Sequence, residues 1–364
     1  MKRNSIQSAL VGLTIVFGFG LIANCQDATM EVVLEGLNNP TSVVIQPGTG
    51  VVFVADSGAQ RIIRVVDGQA EDVITGFPKD IYGKGPLYDI GPLSLLFIDQ
   101  DTLMVGGGGL PAGEDTIALY KIPAAGEDAI TAEDIEGEAK SLPETDSQPG
   151  EGDFYGLVRT GKGVFVTCNG DDEKGWIGLA TLEEGKLKDF TRSIALMEET
   201  KVGGAVAITY SPDGFLAIGQ MGSIRKDGDS LLTFCDPDDG EILATFPTGL
   251  NDITGLAYGP KRGRLFATEF NWQDKSKGAL VKLVGAGDKC NARKVVDLEK
   301  PTSLTFTRSG DLYVTLAGNT SEGVEEPDGK LIMIKGLDDD PNQKPTTKSD
   351  EKPDNKSNEK PDNK

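Results

Sequence analysis

Histidine is absent from all 364 residues. That absence excludes Ser-His-Asp and Cys-His activation of a nucleophile, a histidine general base, histidine-ligated zinc and CxxCH haem attachment. Any catalysis would fall to carboxylates, lysine, tyrosine or a metal. Cysteine is scarce at 4 residues. Cys168, Cys235 and Cys290 have no CxxC neighbour, which argues against a structural zinc site, and three thiols cannot all pair with one another. Long stretches of capped helical periodicity are missing. Basic residues are outnumbered 36 to 57, for a formal net charge of −21. Nucleic-acid binding therefore lacks its electrostatic footprint, and a cationic partner or divalent metal is more compatible.

Long apolar runs are also rare. Residues 9–23 form one, preceded by Lys2 and Arg3 and followed by polar sequence. A basic start and an apolar stretch of this length, too short for a membrane span, predict a secretory signal peptide over 1–25. Small residues in "ANC" before Gln26 suit signal peptidase. Alternatively, "LIANC" resembles a bacterial lipobox with Cys25 lipidated, Asn24 departing from the small residue expected there. The expected location is periplasmic or extracellular, with membrane contact only through such an anchor.

Glycine is plentiful at 47 residues, which suits a turn-rich β protein. The segment "PTSVVIQPGTGVVFVADSG" at 40–58 is echoed by "PTSLTFTRSGDLYVTLAG" at 301–318. Units of two apolar runs about a polar turn begin at 42, 94, 156, 206, 255 and 303, and so are spaced by 52, 62, 50, 49 and 48 residues. A period near 50 built from short strands predicts propeller blades. A third apolar strand follows in every unit, at 61–66, 117–122, 177–182, 231–235, 279–284 and 330–335. Weaker fourth strands include 241–246 and 294–298. The sixth unit lacks a fourth strand, and "MEVVLEGLNNPTS" at 30–42 parallels "ARKVVDLEKPTS" at 292–303. Residues 30–35 are therefore expected to complete the last blade and close the ring. The fold class is all-β, a six-bladed β-propeller over 29–336 closed by an N-terminal strand. The acidic stretch 124–152 reads as a decorated outer strand with an excursion. Residues 337–364, with "EKPDNK" twice, are almost devoid of apolar residues and read as a disordered tail.

The "P-x-x-V" lead into an inner strand, the second strand "VVFVAD" of the first unit and the "RIIRV" after it resemble NHL-type six-bladed propellers. The resemblance spans about 30–336 and implies architecture rather than activity.

Loops before the inner strands and after the second strands fall on one face of such a ring. That face receives Asp56, Asn169, Glu269 and Asn319 as candidate metal ligands, because calcium takes oxygens from carboxylates, amides and carbonyls. It also receives Gln220, Asn271, Tyr82, Tyr88, Tyr155, Trp176 and Trp272 as candidate ligand-binding residues. Aromatics beside carboxylates suit a glycan or a small amphipathic molecule, although the same rings could anchor loops. "GGGG" at 106–109 would leave room or offer backbone amides. The favoured function is an exported, non-catalytic binding or scaffold propeller whose small-molecule, glycan or protein partner sits near the axis. The alternative is a calcium-dependent lactonase or esterase, since "DITGLAYGP" at 252–260 looks similar to the inner-strand lead of the gluconolactonase family. Where that family implies ligands ahead of the inner strands, this chain holds Thr41, Leu93, Tyr155, Thr254 and Thr302, with Asn39, Asp153, Asn251 and Asp252 nearby. A quinoprotein sugar dehydrogenase would ordinarily use a histidine base.

Overall fold

In the computed structural model, residues 29–83, 86–169, 175–286, 289–319 and 326–338 are described. The expected signal peptide and Cys25 lie outside them, as does the expected tail from residue 339. No helix of the described residues is long and apolar enough to cross a membrane.

Each repeat unit is a small antiparallel sheet. The inner strands are Pro40–Ile45, Pro92–Phe97, Phe154–Arg159, Ala205–Tyr210, Ile253–Tyr258 and Pro301–Phe306, one for each of blades one to six. They contact one another in order around the axis, and the first meets the last. Strand Met30–Leu37 pairs antiparallel with Gly329–Ile334 and becomes the outer strand of blade six. The repeat period thus gives the blade count, and the displaced N-terminal strand covers an edge that would otherwise be open to another chain.

Strand alternation sends apolar side chains to both faces of each blade, where the adjoining blades bury them. Successive blades are joined by clusters of such side chains. Phe53 and Ile62 meet Leu103 and Val105 between blades one and two. Leu232 and Phe234 meet Leu265 and Val281 between four and five. At the closure, Leu37 and Leu331 pack on Val43, Val54 and Ile63. The core is therefore a ring of inter-blade seams, and the closure is one of them.

Two regions depart from the repeat. Blade two is three-stranded, and Ile130–Thr131 from its excursion pairs in parallel with the outer strand of blade one, Gln69–Thr75. The buried Arg64 of blade one holds this excursion by donating to the carbonyls of Pro123 at 2.7 Å and Ala124 at 2.6 Å. At the other end, Leu337 packs on the seam between blades five and six, and Asp338 is fully buried. The Asp338 Oδ2 accepts from the Lys261 amide at 2.6 Å and the Arg262 amide at 3.1 Å. The packed chain therefore runs two residues past Gly336.

Candidate functional site

In all six blades the pairing of inner and second strands slips at the same place, just after the first inner residue. A β-bulge of this kind re-aims a side chain. Thr41, Leu93, Tyr155, Val206, Thr254 and Thr302 sit at these slips, and all six line one depression on the axis. Its empty volume is about 480 Å³, counted out into open solvent.

Three of these positions also tie the ring together. The Thr254 hydroxyl donates to the Pro301 carbonyl of the next blade at 2.7 Å. Thr302 donates to Pro40 at 2.5 Å across the closure, and Thr41 to Pro92 at 3.2 Å. Ser94 continues the pattern to the Phe154 carbonyl at 2.5 Å. These hydroxyls satisfy buried carbonyls at the crowded centre, which would otherwise be left without partners. The repeated "PTS" is thus a clasp between successive blades.

The residues immediately before the inner strands form a second tier. Asn39, Asp153, Gly204, Asp252 and Lys300 have φ of 47°, 48°, 69°, 57° and 48°. Asn, Asp and Gly tolerate this left-handed region best, which accounts for them at chain reversals. Asn39 and Asp153 line the depression. The Asn39 Nδ2 donates to the Asp89 carbonyl at 3.0 Å. Asp252 is buried and its Oδ2 accepts the Trp272 amide at 2.5 Å, while Asp115 Oδ2 accepts the Asp153 amide at 3.0 Å. Burial pushes both Asp115 and Asp252 up to about 6, against the lowering effect of those amides.

A pair of strands, Asp80–Tyr82 and Tyr88–Ile90, brings the Tyr82 and Tyr88 rings into the lining of the depression. Trp272 meets Tyr82 at 5.6 Å and Tyr88 at 5.5 Å edge-on, and Phe270 at 5.0 Å. The buried Lys300 donates to the Tyr88 hydroxyl and lies over the Tyr88 ring at 5.1 Å and the Phe270 ring at 5.8 Å. Burial holds the Tyr88 and Tyr155 phenols well above their ordinary range, with Asp328 adding to the first and Tyr82, Asp153 and Tyr88 to the second.

The structure therefore gathers Tyr82, Tyr88, Tyr155, Trp272 and Asn169 on the axial depression. Trp176 is half-buried and stands off it, its carbonyl accepting the Cys168 amide at 3.1 Å. Gln220 is fully buried, donating to Thr200 at 2.8 Å and accepting from Thr233 at 2.9 Å. Asn271 is buried beside Trp272, and its carbonyl accepts the Asp274 amide at 3.1 Å. Of the residues expected to hold a metal, Asp56 is buried on Arg61 at 2.8 Å and on the Asn38 amide at 2.7 Å. Glu269 accepts the Asn251 amide at 2.9 Å, and Asn319 binds Asp328 from the exposed rim. Only Asn169 of those four lines the depression. No group of three His, Cys, Asp or Glu that could hold a metal occurs among the described residues.

Sequence reasoning passed over Lys300 and Phe270. Lys300 stands one residue before the last "PTS", the position taken by Asn39 in the first, and that alignment was the available signal. Within the "GGGG" run, Gly107 and Gly109 border a second cavity beside Asp115, while Gly108 and Gly109 leave no room for side chains of their own. A Cβ on Gly108 would lie 2.1 Å from Leu93 Cδ1, and one on Gly109 2.0 Å from the Pro78 carbonyl oxygen.

No family model matches the chain, and no curated protein matches it in sequence. Solved structures do match it in shape. A gluconolactonase from Xanthomonas campestris superposes with a TM-score of 0.55 at 13% identity, covering 85% of this chain and 89% of that one. The soluble aldose sugar dehydrogenase of Escherichia coli in its apo form gives 0.56 at 15% identity, covering 84% and 99%. A luciferin-regenerating enzyme gives 0.55 at 14% identity, covering 85% and 96%. At these identities the likeness is one of fold: the chain is a six-bladed β-propeller of the shape found in gluconolactonase-type and aldose-dehydrogenase propellers.

Proposed function

We propose that this chain is an exported hydrolase of lactones or related esters, acting in the axial depression. The observation that carries it is the presence in one lining of a carboxylate, Asp153, and two amides, Asn39 and Asn169, among aromatic rings. Gluconolactonase among the structures of like shape supports this reading over a non-catalytic scaffold.

Without histidine, the proton has to move through a carboxylate. Asp153 takes a proton from water as the water oxygen bonds to the acyl carbon. The ring C–O bond then breaks, and the departing alkoxide receives the proton from Asp153, giving a hydroxy acid. The Asp153 backbone is held for this by the buried Asp115. The resemblance to calcium-dependent lactonases raises the question of a metal. The Asn169 Nδ2 donates to the Tyr82 hydroxyl at 3.2 Å and the Asn39 Nδ2 to Asp89, so neither amide oxygen is used in these bonds. Those oxygens, with Asp153 beside them, are the hard-donor chemistry calcium takes, although they are few against its usual six to eight. Asn39, Asn169 and Asp153 would hold such an ion, which when bound supplies charge that polarises an acyl carbonyl.

Asp153→Asn is expected to lower kcat by about 100-fold or more, as loss of a general base does, with an unchanged melting temperature. Measurable lactone hydrolysis by the parent with full retention in the variant would remove Asp153 from the chemistry.

A further inference from the structure

The proposed site has a largely aromatic and aliphatic wall, and several of its hydrogen-bonding groups are already engaged. The Thr41, Thr254 and Thr302 hydroxyls donate to carbonyls of the adjoining blades. The Asn39 and Asn169 amide nitrogens donate to Asp89 and Tyr82, and the Tyr88 hydroxyl is held by Lys300. Between these stand Leu93, Ile90, Val206, Met221 and Phe270. A sugar lactone carries a hydroxyl on nearly every ring carbon, and each loses water on entering. Asn39, Asn169 and Asp153 can meet a few of these hydroxyls, but against Ile90, Leu93, Val206, Met221 and Phe270 the rest would be desolvated without replacement.

One donor runs the other way. Trp272 lines the depression and is 6% exposed, and its Nε1 is buried with no hydrogen-bond partner. A buried N–H without an acceptor is costly, and in a binding site it marks the place of an acceptor brought by the ligand. The wall thus asks for a molecule that is mostly apolar and has one well-placed oxygen.

Resting on the hydrolase reading above, we infer that the substrates are lactones or esters with alkyl or aryl substituents, their acyl oxygens meeting Trp272 Nε1, and that polyhydroxylated sugar lactones are disfavoured. The site would then differ in substrate class from the gluconolactonase whose shape it shares.

The chain holds two tryptophans, so Trp176→Phe leaves Trp272 as the sole indole reporter. In that variant, γ-nonalactone should shift the emission saturably, with a Kd at least about tenfold below that for δ-gluconolactone, the ratio expected from one or two polar groups left unpaired. Hydrolysis by the unsubstituted chain should show the same preference in kcat/KM. Trp272→Phe keeps the ring and loses the N–H, and should raise KM for γ-nonalactone about tenfold with an unchanged melting temperature. Equal or tighter binding of δ-gluconolactone would overturn the substrate class while leaving the hydrolase reading standing. Saturable binding of γ-nonalactone without hydrolysis of either compound would overturn the hydrolase reading alone. No spectral response and no hydrolysis with either compound would overturn both.

Discussion

Threonine and asparagine do different work at almost the same place in this ring. Thr302 closes it by donating to Pro40, whereas Asn39, one residue before that proline, faces the depression. Replacing Thr302 with valine keeps the volume and removes the hydroxyl, so the Pro40 carbonyl is left buried without that donor. The expected loss is about 1–3 kcal/mol of stability, read as a lower urea midpoint with an unchanged denaturant slope. At the candidate metal site, Asn169 and Asp153 line the depression whereas Glu269 is held by Asn251. A calcium-dependent rise in melting temperature should therefore be lost in Asp153→Asn and kept in Glu269→Ala, as differential scanning fluorimetry would show.

At the scale of elements, the strand Met30–Leu37 and the lead-in loops matter most. The strand covers the last blade with a ladder interrupted by two bulges, between Val32 and Leu34 and between Glu35 and Leu37, and with the Lys330–Glu35 and Lys335–Glu31 ion pairs at 2.8 and 2.6 Å. Those exposed pairs contribute little, typically below about 1 kcal/mol each. The backbone ladder and the burial of Leu37 dominate. Deleting residues 29–37 should bare Gly329–Ile334 as an edge and shift the protein to oligomers or aggregate on size-exclusion chromatography. The lead-in loops carry a pH dependence. Asp115 and Asp252 have folded pKa values of about 6, above the 3.8 of a free carboxyl. Between those values the native state binds more protons than the unfolded chain, so these two groups disfavour folding at pH 7 and cease to do so on acidification. Replacing both with asparagine should flatten the part of the stability profile between about pH 4 and pH 6, measured by urea unfolding, where the parent gains stability as pH falls.

For the whole molecule, the address and the charge go together. A net charge of −21 keeps the ring soluble and repels anions, consistent with a neutral substrate. We propose that the chain is exported. Mass spectrometry of the protein recovered outside the cytoplasm should find a new N-terminus close to Cys25, either free or carrying a diacylglycerol thioether. A chain retained in the cytoplasm with Met1 intact would remove that proposal.

Blade number, strand identity and the supply of the closing strand were legible from residues alone, because each blade repeats a local pattern and strand alternation is a property of neighbouring residues. "MEVVLEGLNNPTS" could be matched to the last blade by its own likeness to 292–303. The likeness of Thr41 to Thr302 was legible too, but its meaning was not. Only the closed ring brings the Thr302 hydroxyl to a carbonyl 262 positions away in sequence. The same holds for the site. Residues were assigned to a face by strand direction, yet direction does not say whether a carboxylate looks to the axis or to an arginine. Asp56 found Arg61, Glu269 found Asn251, and Asp153 reached the axial depression. Sequence periodicity determined the architecture because it is written locally in every blade. Which polar groups remain for a ligand was decided by packing around the axis, where a bulge repeated in each blade turns six separate side chains toward one point.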